Sequence, residues 1–474
     1  MKKVHFIAIG GAAMHNLALA MHHKGYQVSG SDNEVFEPSR SRLAKFALLP
    51  AEIGWFPEKI TTALDAVILG MHAKQDNPEL LKAKELGIKI YSFPEYLYEQ
   101  TQDKTRVVIG GSHGKTTITA MILFVLQKMN IKFDYMVGAQ IEGFDTMVGL
   151  SEDAKIAVFE GDEYLTSPID LRPKFHVYRP HIALLSGIAW DHINVFPTFD
   201  NYVEQFRIFA SLIEPNGKLI YYKGDKNLCD VAENVRADVE AIAYDTHSYV
   251  LENGKTYLVA PSNSPEGGEL FPPFGGIKGG LEISVFGEHN LQNLNGAHLV
   301  CRQLGVCDED FYKAISEFSG AANRLQKIAE NEHSAVYKDF AHSPSKLCAT
   351  VKAMKRQFPN RKLLACMELH TFSSLNKDFL PEYKDCMADA DIAFVYFNPQ
   401  VVENKKLEKF TKEQVKNAFG GENVFVFDDA ELLKKELQAI DFSDKNLLIM
   451  TSGNFSGLNM NELAEKLIQL SLRA

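Results

Sequence analysis

The sequence has little that would place it outside ordinary globular proteins. Only six cysteines are spread over 474 residues (Cys229, Cys301, Cys307, Cys348, Cys366 and Cys386), and none forms a C-x-x-C pair. That spacing offers neither a disulfide framework nor a zinc site, so reduced thiols in a reducing compartment are expected. No apolar run approaches the ~18 residues that a membrane span requires. The opening Val4–Ile9 stretch is too short for a signal-peptide core. The expectation is a cytoplasmic protein with no membrane partner. Clusters of positive charge are missing too: 50 Lys and Arg stand against 61 Asp and Glu, a net charge of −11. Binding to a phosphodiester backbone rests on concentrated cationic charge, so no nucleic-acid partner is expected. Acidic small molecules are still allowed, because a nest of backbone N–H groups holds phosphate in an acidic protein. Internal repeats and low-complexity tracts are absent.

What is present is a rhythm of short apolar runs alternating with longer amphipathic stretches, the pattern of an α/β protein with mostly parallel sheets. The chain is too long for one core, and three segments each open on that rhythm. They are residues 1–105, 106–319 and 320–474. The first has strands at Val4–Ile9, Gln27–Ser29, Ala66–Leu69 and Lys89–Tyr91, with a helix over Met14–Lys24. Glu99–Thr105 (EQTQDKT) reads as a polar linker. The second has strands at Arg106–Ile109, Ile156–Phe159 and Ile182–Ser186, and a helix at Leu291–Leu304. Its Gly254–Gly280 stretch is rich in Gly and Pro and should form hairpins or loops. The third has strands at Ala335–Tyr337, Lys362–Met367, Ile392–Tyr396 and Leu447–Met450.

The strongest local signal is Val107-Val108-Ile109-Gly110-Gly111-Ser112-His113-Gly114-Lys115-Thr116-Thr117. A buried strand feeds a glycine turn that opens a helix, so backbone N–H groups and the helix dipole converge on one anion site. Lys115 should meet the terminal phosphates of ATP, and Thr116 or Thr117 should bind Mg²⁺. The spacing is G-x-x-G-K-T-T and not the usual G-x-x-x-x-G-K-[ST].

That shorter loop resembles the Mur ligase family, which builds and recycles the peptide stem of bacterial cell-wall precursors. The resemblance implies three domains: a Rossmann-like first, a P-loop-like ATP-binding second and a Rossmann-like third that takes the amino acid or peptide. Further matches run in order through the chain. Glu160-Gly161-Asp162-Glu163 resembles the family's metal-binding acidic segment, making Glu160 the implied Mg²⁺ ligand and Glu163 its substitute. Trp190-Asp191-His192 is similar to a D-H element, which makes His192 a second metal ligand or a γ-phosphate contact. Hard oxygen ligands with one imidazole suit Mg²⁺ held partly through phosphates. Gly287-Glu288-His289-Asn290-Leu291-Gln292-Asn293 matches an element whose asparagines, here Asn290 and Asn293, reach adenine. Asn290 could equally be a helix cap. Arg324 resembles an arginine directed at the γ-phosphate. In Lys338-Asp339-Phe340-Ala341-His342-Ser343-Pro344, the resemblance has Asp339 binding ribose, Phe340 packing on adenine and His342 near the incoming amine. Lys338 and Ser343 depart from the family's D-D-[YF]-x-H-H-P. The nucleotide set is therefore Gly111, Ser112, His113, Gly114, Lys115, Thr116, Thr117, Asn290, Asn293, Arg324 and Asp339.

The first segment carries a degraded dinucleotide fingerprint, Gly10-Gly11-Ala12-Ala13 followed by Met14, with Gly30-Ser31-Asp32 ending the second strand. In a NAD site Asp32 would bind ribose. In the Mur family the same turn holds a UDP diphosphate, and Ser31 and Asp32 lie beside the uridine.

These matches imply a ligase, acting as a monomer or weak homo-oligomer, that joins an amino acid or short peptide to UDP-N-acetylmuramate through an acyl phosphate. Lys115, His192, Arg324 and His342 would be its catalytic residues. One family member adds L-alanine during synthesis, and another attaches the recycled tripeptide L-alanyl-γ-D-glutamyl-meso-diaminopimelate. Ser167–Pro180 resembles the recycling member. Both arginines of the alanine-adding H-R-x-x-R element are absent from His370-Thr371-Phe372-Ser373-Ser374. Bidentate arginine pairing is hard to replace, so the tripeptide is the expected amine and L-alanine the alternative. His192 to Ala210 contains no lysine, and Arg207 cannot be carbamylated to hold a second metal.

Overall fold

The computed structural model describes residues 1–71, 73–259 and 280–471. It divides into two compact units. The first is Met1–Ile188 with Phe199–Asp245 and Gly296–Phe311; the second is Ala189–Thr198 with Thr246–Asn295 and Tyr312–Ala474.

The first unit contains two parallel sheets. Strands β1 (Lys3–Ile7), β2 (Gln27–Ser31), β3 (Ala66–Leu69) and β4 (Ile90–Ser92) form one, in the order β2-β1-β3-β4. Phe6 of the inner strand pairs with Gly30 on one side and Ile68 on the other. The other sheet contains β5 (Thr105–Gly110), β6 (Phe133–Met136), β7 (Val148–Gly149), β8 (Ile156–Glu160), β11 (Ile182–Leu185), β12 (Lys218–Tyr222) and β13 (Glu240–Tyr244). Their order is β13-β12-β11-β5-β8-β6-β7, and only the β6–β7 pairing is antiparallel. Between β8 and β11 lies a short hairpin, β9 (Leu165–Ser167) and β10 (Asp170–Pro173). β5 is central, and Val107, Val108 and Ile109 are wholly buried, as a parallel strand covered on both faces should be.

Composition reads Glu99–Thr105 as a linker, but the structure ties it down. Arg106, itself buried, donates from Nη1 to the carbonyls of Thr101, Gln102 and Lys104 at 3.0, 3.1 and 3.3 Å. Its Nε reaches Tyr178 and Arg179 carbonyls and Nη2 reaches Glu214 at 3.2 Å. Lys104 pairs with the buried Asp134 at 2.6 Å. Polarity here marks internal wiring, because buried charges must find partners.

In the second unit β17 (Gln326–Glu330), β18 (Ala335–Asp339), β19 (Lys362–Leu369), β20 (Ile392–Phe397), β21 (Val424–Phe427) and β22 (Lys445–Met450) form a six-stranded sheet. The order is β17-β18-β22-β19-β20-β21, with β17 alone antiparallel. A smaller antiparallel sheet holds β14 (Tyr249–Glu252), β15 (Lys255–Val259) and β16 (Gly280–Ile283). The hairpin expected in Gly254–Gly280 is present at its described ends; residues 260–279 lie outside the described residues. Mostly parallel sheets agree with the fold read from sequence. No helix among the described residues is long and apolar enough to cross a membrane.

Candidate active site

β5 ends in the glycine turn, and the helix Lys115–Lys128 follows with no side-chain cap, so its N-terminus has the geometry that suits an anion. Gly111 has φ 127°, and a Cβ there would lie 2.3 Å from Ser186 Oγ, so only glycine fits. The loop is braced from β11: Ser112 N–H donates to Gly187 O at 2.9 Å, and Ser186 Oγ donates to the His113 carbonyl.

Lys115 Nζ donates to Glu163 Oε2 at 2.6 Å and to Gly111 O at 2.7 Å. Burial works against its charge, but Glu163, Asp162 and Glu160 outweigh burial and raise its pKa, so it stays cationic. Thr116 Oγ1 donates to Glu160 Oε1 at 2.9 Å, and Gly138 N–H donates to Glu160 Oε2 at 2.7 Å. A hydroxyl and a fixed carboxylate side by side suit a hard divalent cation. Among the described residues no group of three or more His, Cys, Asp and Glu could hold a metal. The hydroxyl–carboxylate pair fits an ion that takes its other ligands from phosphate and water, as Mg²⁺ does.

The first turn of the chain likewise leads into a helix without a side-chain cap. Gly11 precedes the helix Ala12–His23, and Ala12 and Ala13 are exposed while Met14 is buried. Asp32 Oδ2 accepts from Gly10 N–H at 2.8 Å. Asp32 thus shapes the turn itself, with Ser31 buried beside it.

The second unit gathers the remaining sequence-derived residues except those in the glycine turns. Asp339 is buried and accepts from the N–H groups of Leu325 and Ala341, both at 2.7 Å. The first bond anchors Leu325, and Phe340 N–H donates to Asn323 O at 2.9 Å; both residues, on either side of Arg324, have positive φ (45° and 56°). Arg324 lies over the half-exposed Phe340 ring, 4.8 Å from its centroid. His342 Nδ1 donates to Phe340 O at 2.7 Å, and its Nε2 lies 4.0 Å from Asp191. Burial, with Lys346 adding, pushes the His342 pKa down to about 3, so its ring is neutral. Asn290 Nδ2 donates to Phe286 O at 2.9 Å, and Asn293 Nδ2 to Asn290 Oδ1 at 3.4 Å, so both amides already serve the fold. His192 also belongs to this unit; its N–H donates to Asp191 Oδ1 at 2.8 Å, and its φ is 54°. Thr116 and Glu160 belong to the first unit.

Sequence reasoning missed Tyr202 and Lys346, and read Glu163 only as a substitute metal ligand. Glu163 is the partner of Lys115. Tyr202 donates to Glu163 Oε1 at 3.0 Å, and Lys346 lies 3.6 Å from Asp191. Signals existed: a hydroxyl at an inward helical position needs a polar partner, and a cation in a helix's first turn opposes the dipole.

Residues 3–105 match the catalytic domain of the Mur ligase family, and residues 109–301 match the Mur ligase middle domain. A UDP-N-acetylmuramate–L-alanine ligase from Caldicellulosiruptor bescii is 31% identical over 83% of this chain and 83% of its own length. One from Lactobacillus acidophilus is 28% identical over 93% of this chain and 95% of its own length. Among solved structures, a UDP-N-acetylmuramate–alanine ligase from Thermotoga maritima covers 100% of both chains with TM-score 0.69 at 18% identity. A murein peptide ligase from Psychrobacter arcticus covers 99% of both with TM-score 0.64 at 21% identity. These likenesses carry the fold.

Proposed function

The chain belongs to the Mur ligase family of ATP-dependent, ADP-forming ligases, and from that premise we propose that it joins L-alanine to the carboxylate of UDP-N-acetylmuramate. The observation that carries the ligase reading is the Lys115–Glu163 and Thr116–Glu160 arrangement at an uncapped helix N-terminus. It offers one cation, one hydroxyl–carboxylate pair and a ring of N–H groups to a nucleoside triphosphate. The sugar carboxylate oxygen attacks the γ-phosphorus, ADP leaves, and an acyl phosphate forms. The amine nitrogen then attacks the acyl carbon, and inorganic phosphate departs as the proton leaves nitrogen. The sugar carboxylate is already a nucleophile, so these residues position groups and offset charge. Mg²⁺, when bound at Thr116 and Glu160, would neutralise charge on the phosphates. The turn at Gly10–Met14 suits the UDP diphosphate. Arg324, Asp339 and His342 are assigned to the nucleotide and amine on the strength of the family resemblance.

L-alanine leads because both sequence relatives named above are UDP-N-acetylmuramate–L-alanine ligases, and this reverses the preference drawn from sequence. The tripeptide is retained as a second reading on one observation. Three arginines occupy the described part of residues 320–474: Arg324, Arg356 and Arg361. Arg356 pairs with Glu288, and Arg361 donates to Asn446 and Glu332 O. The end of β19 presents instead Glu368, buried and bonded to Phe455 N–H at 3.0 Å, with His370 just beyond the strand at 3.8 Å from it. Among the described residues no guanidinium fork stands there for the carboxylate of a free amino acid. Phosphate release with Mg-ATP and UDP-N-acetylmuramate, offering L-alanine or the tripeptide, decides. Release with tripeptide alone would overturn the alanine reading, and release with neither would overturn the acceptor.

A further inference from the structure

The helix Phe199–Ser211 presents a buried face of Tyr202, Val203, Phe206, Phe209 and Ala210 to the first unit's core. One hydroxyl is set into that apolar face. Tyr202 is wholly buried, its ring edge-on to Phe206 at 5.2 Å. A phenylalanine would fill the same space, so the hydroxyl needs its own reason. Its oxygen lies 2.9 Å from Ser112 Oγ and donates to Glu163 Oε1 at 3.0 Å. A phenol has one proton, so the Ser112 hydroxyl is the donor in the first contact. The other Glu163 oxygen holds Lys115. One phenol thus joins Ser112, inside the phosphate loop, to the carboxylate that grips the loop's lysine.

We infer that Tyr202 is a positioning residue for the nucleotide: it fixes Glu163 and Ser112 so that Lys115 can pass from Glu163 to the terminal phosphates of a nucleoside triphosphate. This rests on the ligase reading above. In the structure the ammonium is held by Glu163 and Gly111 O, so an entering triphosphate competes with a carboxylate. A carboxylate that already shares its charge with a phenol is a weaker competitor. The same bond stops Glu163 from following the ammonium toward the phosphates, where like charges would meet. Without the hydroxyl, Glu163 competes harder for the ammonium and loses that restraint.

The test measures affinity directly, by calorimetry with Mg²⁺ and an ATP analogue bearing a non-hydrolysable β–γ bridge. Tyr202→Phe should weaken that Kd by about tenfold, the scale of one hydrogen bond to a charged group. In turnover the KM for ATP should rise by a similar factor. The kcat and the KM for the sugar nucleotide should stay within about twofold. Tyr202→Leu, which also lacks the hydroxyl, carries the same expectation. In a Glu163→Ala background the Tyr202→Phe effect should largely vanish, because the phenol acts through that carboxylate. An unchanged Kd in the Phe and Leu variants, or additive effects with Glu163→Ala, would overturn the inference. A wild-type chain that binds the analogue yet releases no phosphate with any amine would overturn the ligase reading alone, and the Kd comparison would still decide the role of Tyr202.

Discussion

The Asp191 carboxylate and the Lys346 ammonium face each other at 3.6 Å within the second unit. Burial alone would raise the Asp191 pKa, but Lys346, His192 and His342 together hold it well below the usual carboxylate range. The pKa of His342, beside the same pair, is also lowered, by burial first, and for a base that means a neutral ring. One anion, one cation and one uncharged ring therefore share a small space.

That arrangement fixes a pH dependence. An unfolded histidine titrates near ~6.5, whereas His342 in the fold titrates at about 3. Between those values the unfolded chain binds the extra proton, so His342 costs stability as pH falls from about 6.5 toward about 3. Asp191 shifts in the same direction, its folded value also below the unfolded one, but it rests as the charged form. Its contribution is complete above about 4 and disappears only in stronger acid. Urea midpoints measured from pH 7 to pH 4.5 should therefore fall less steeply for His342→Asn than for wild type. Parallel slopes would mean that His342 does not carry the effect.

Lys115→Ala should lower ATP-dependent phosphate release by about a hundredfold or more, the scale for losing a preorganised charge at a reacting centre. It also leaves Glu163 buried without its cation. Thermal melting with and without Mg-ATP separates the two effects: the variant should lose the shift that nucleotide gives to wild type. Full activity in Lys115→Ala would sink the assignment of this loop.

Gly138 lies against the carboxylate proposed to face the metal. A Cβ there would come within 2.8 Å of Glu160 Oε1 and 3.0 Å of Oε2. Gly138→Ala should push that carboxylate off Thr116, raising the Mg²⁺ concentration needed for half-maximal rate by about tenfold. A Mg²⁺ titration at saturating ATP reads this, and an unchanged curve would remove Glu160 from the metal.

Lys104 and Asp134 form an ion pair in which both side chains are buried. Lys104→Met should cost about 3 kcal/mol, because it leaves Asp134 charged and enclosed. The double change Lys104→Met with Asp134→Leu should recover much of that loss. Urea midpoints of the set would show it.

How far the sequence could be read depended on whether a residue's role is local. The alternation of apolar runs located β5, β8, β11 and β19 to within a residue or two. The glycine turn was legible because backbone spacing alone creates an anion site there. Tyr202 was not legible, since its partners Ser112 and Glu163 lie 90 and 39 residues away and only the packing of a helix on the sheet brings them together. Asp32 read as a ligand-binding acid because strand-end acids often are. Its bond to Gly10 crosses between strands and leaves no mark in composition. For the amine the difficulty is chemical: missing arginines say what does not bind, while Glu368 and His370 admit more than one partner.

The grip of Arg106 on the Thr101, Gln102 and Lys104 carbonyls has a consequence for anyone cutting this chain. The segment between the first two sheets is no free tether, so its amides should exchange with solvent as slowly as those of β5. A fragment ending at residue 105 would lose the guanidinium that those carbonyls bind. One beginning at residue 106 would keep an enclosed charge with half its acceptors gone. The excision most natural on paper is the one both halves would tolerate least.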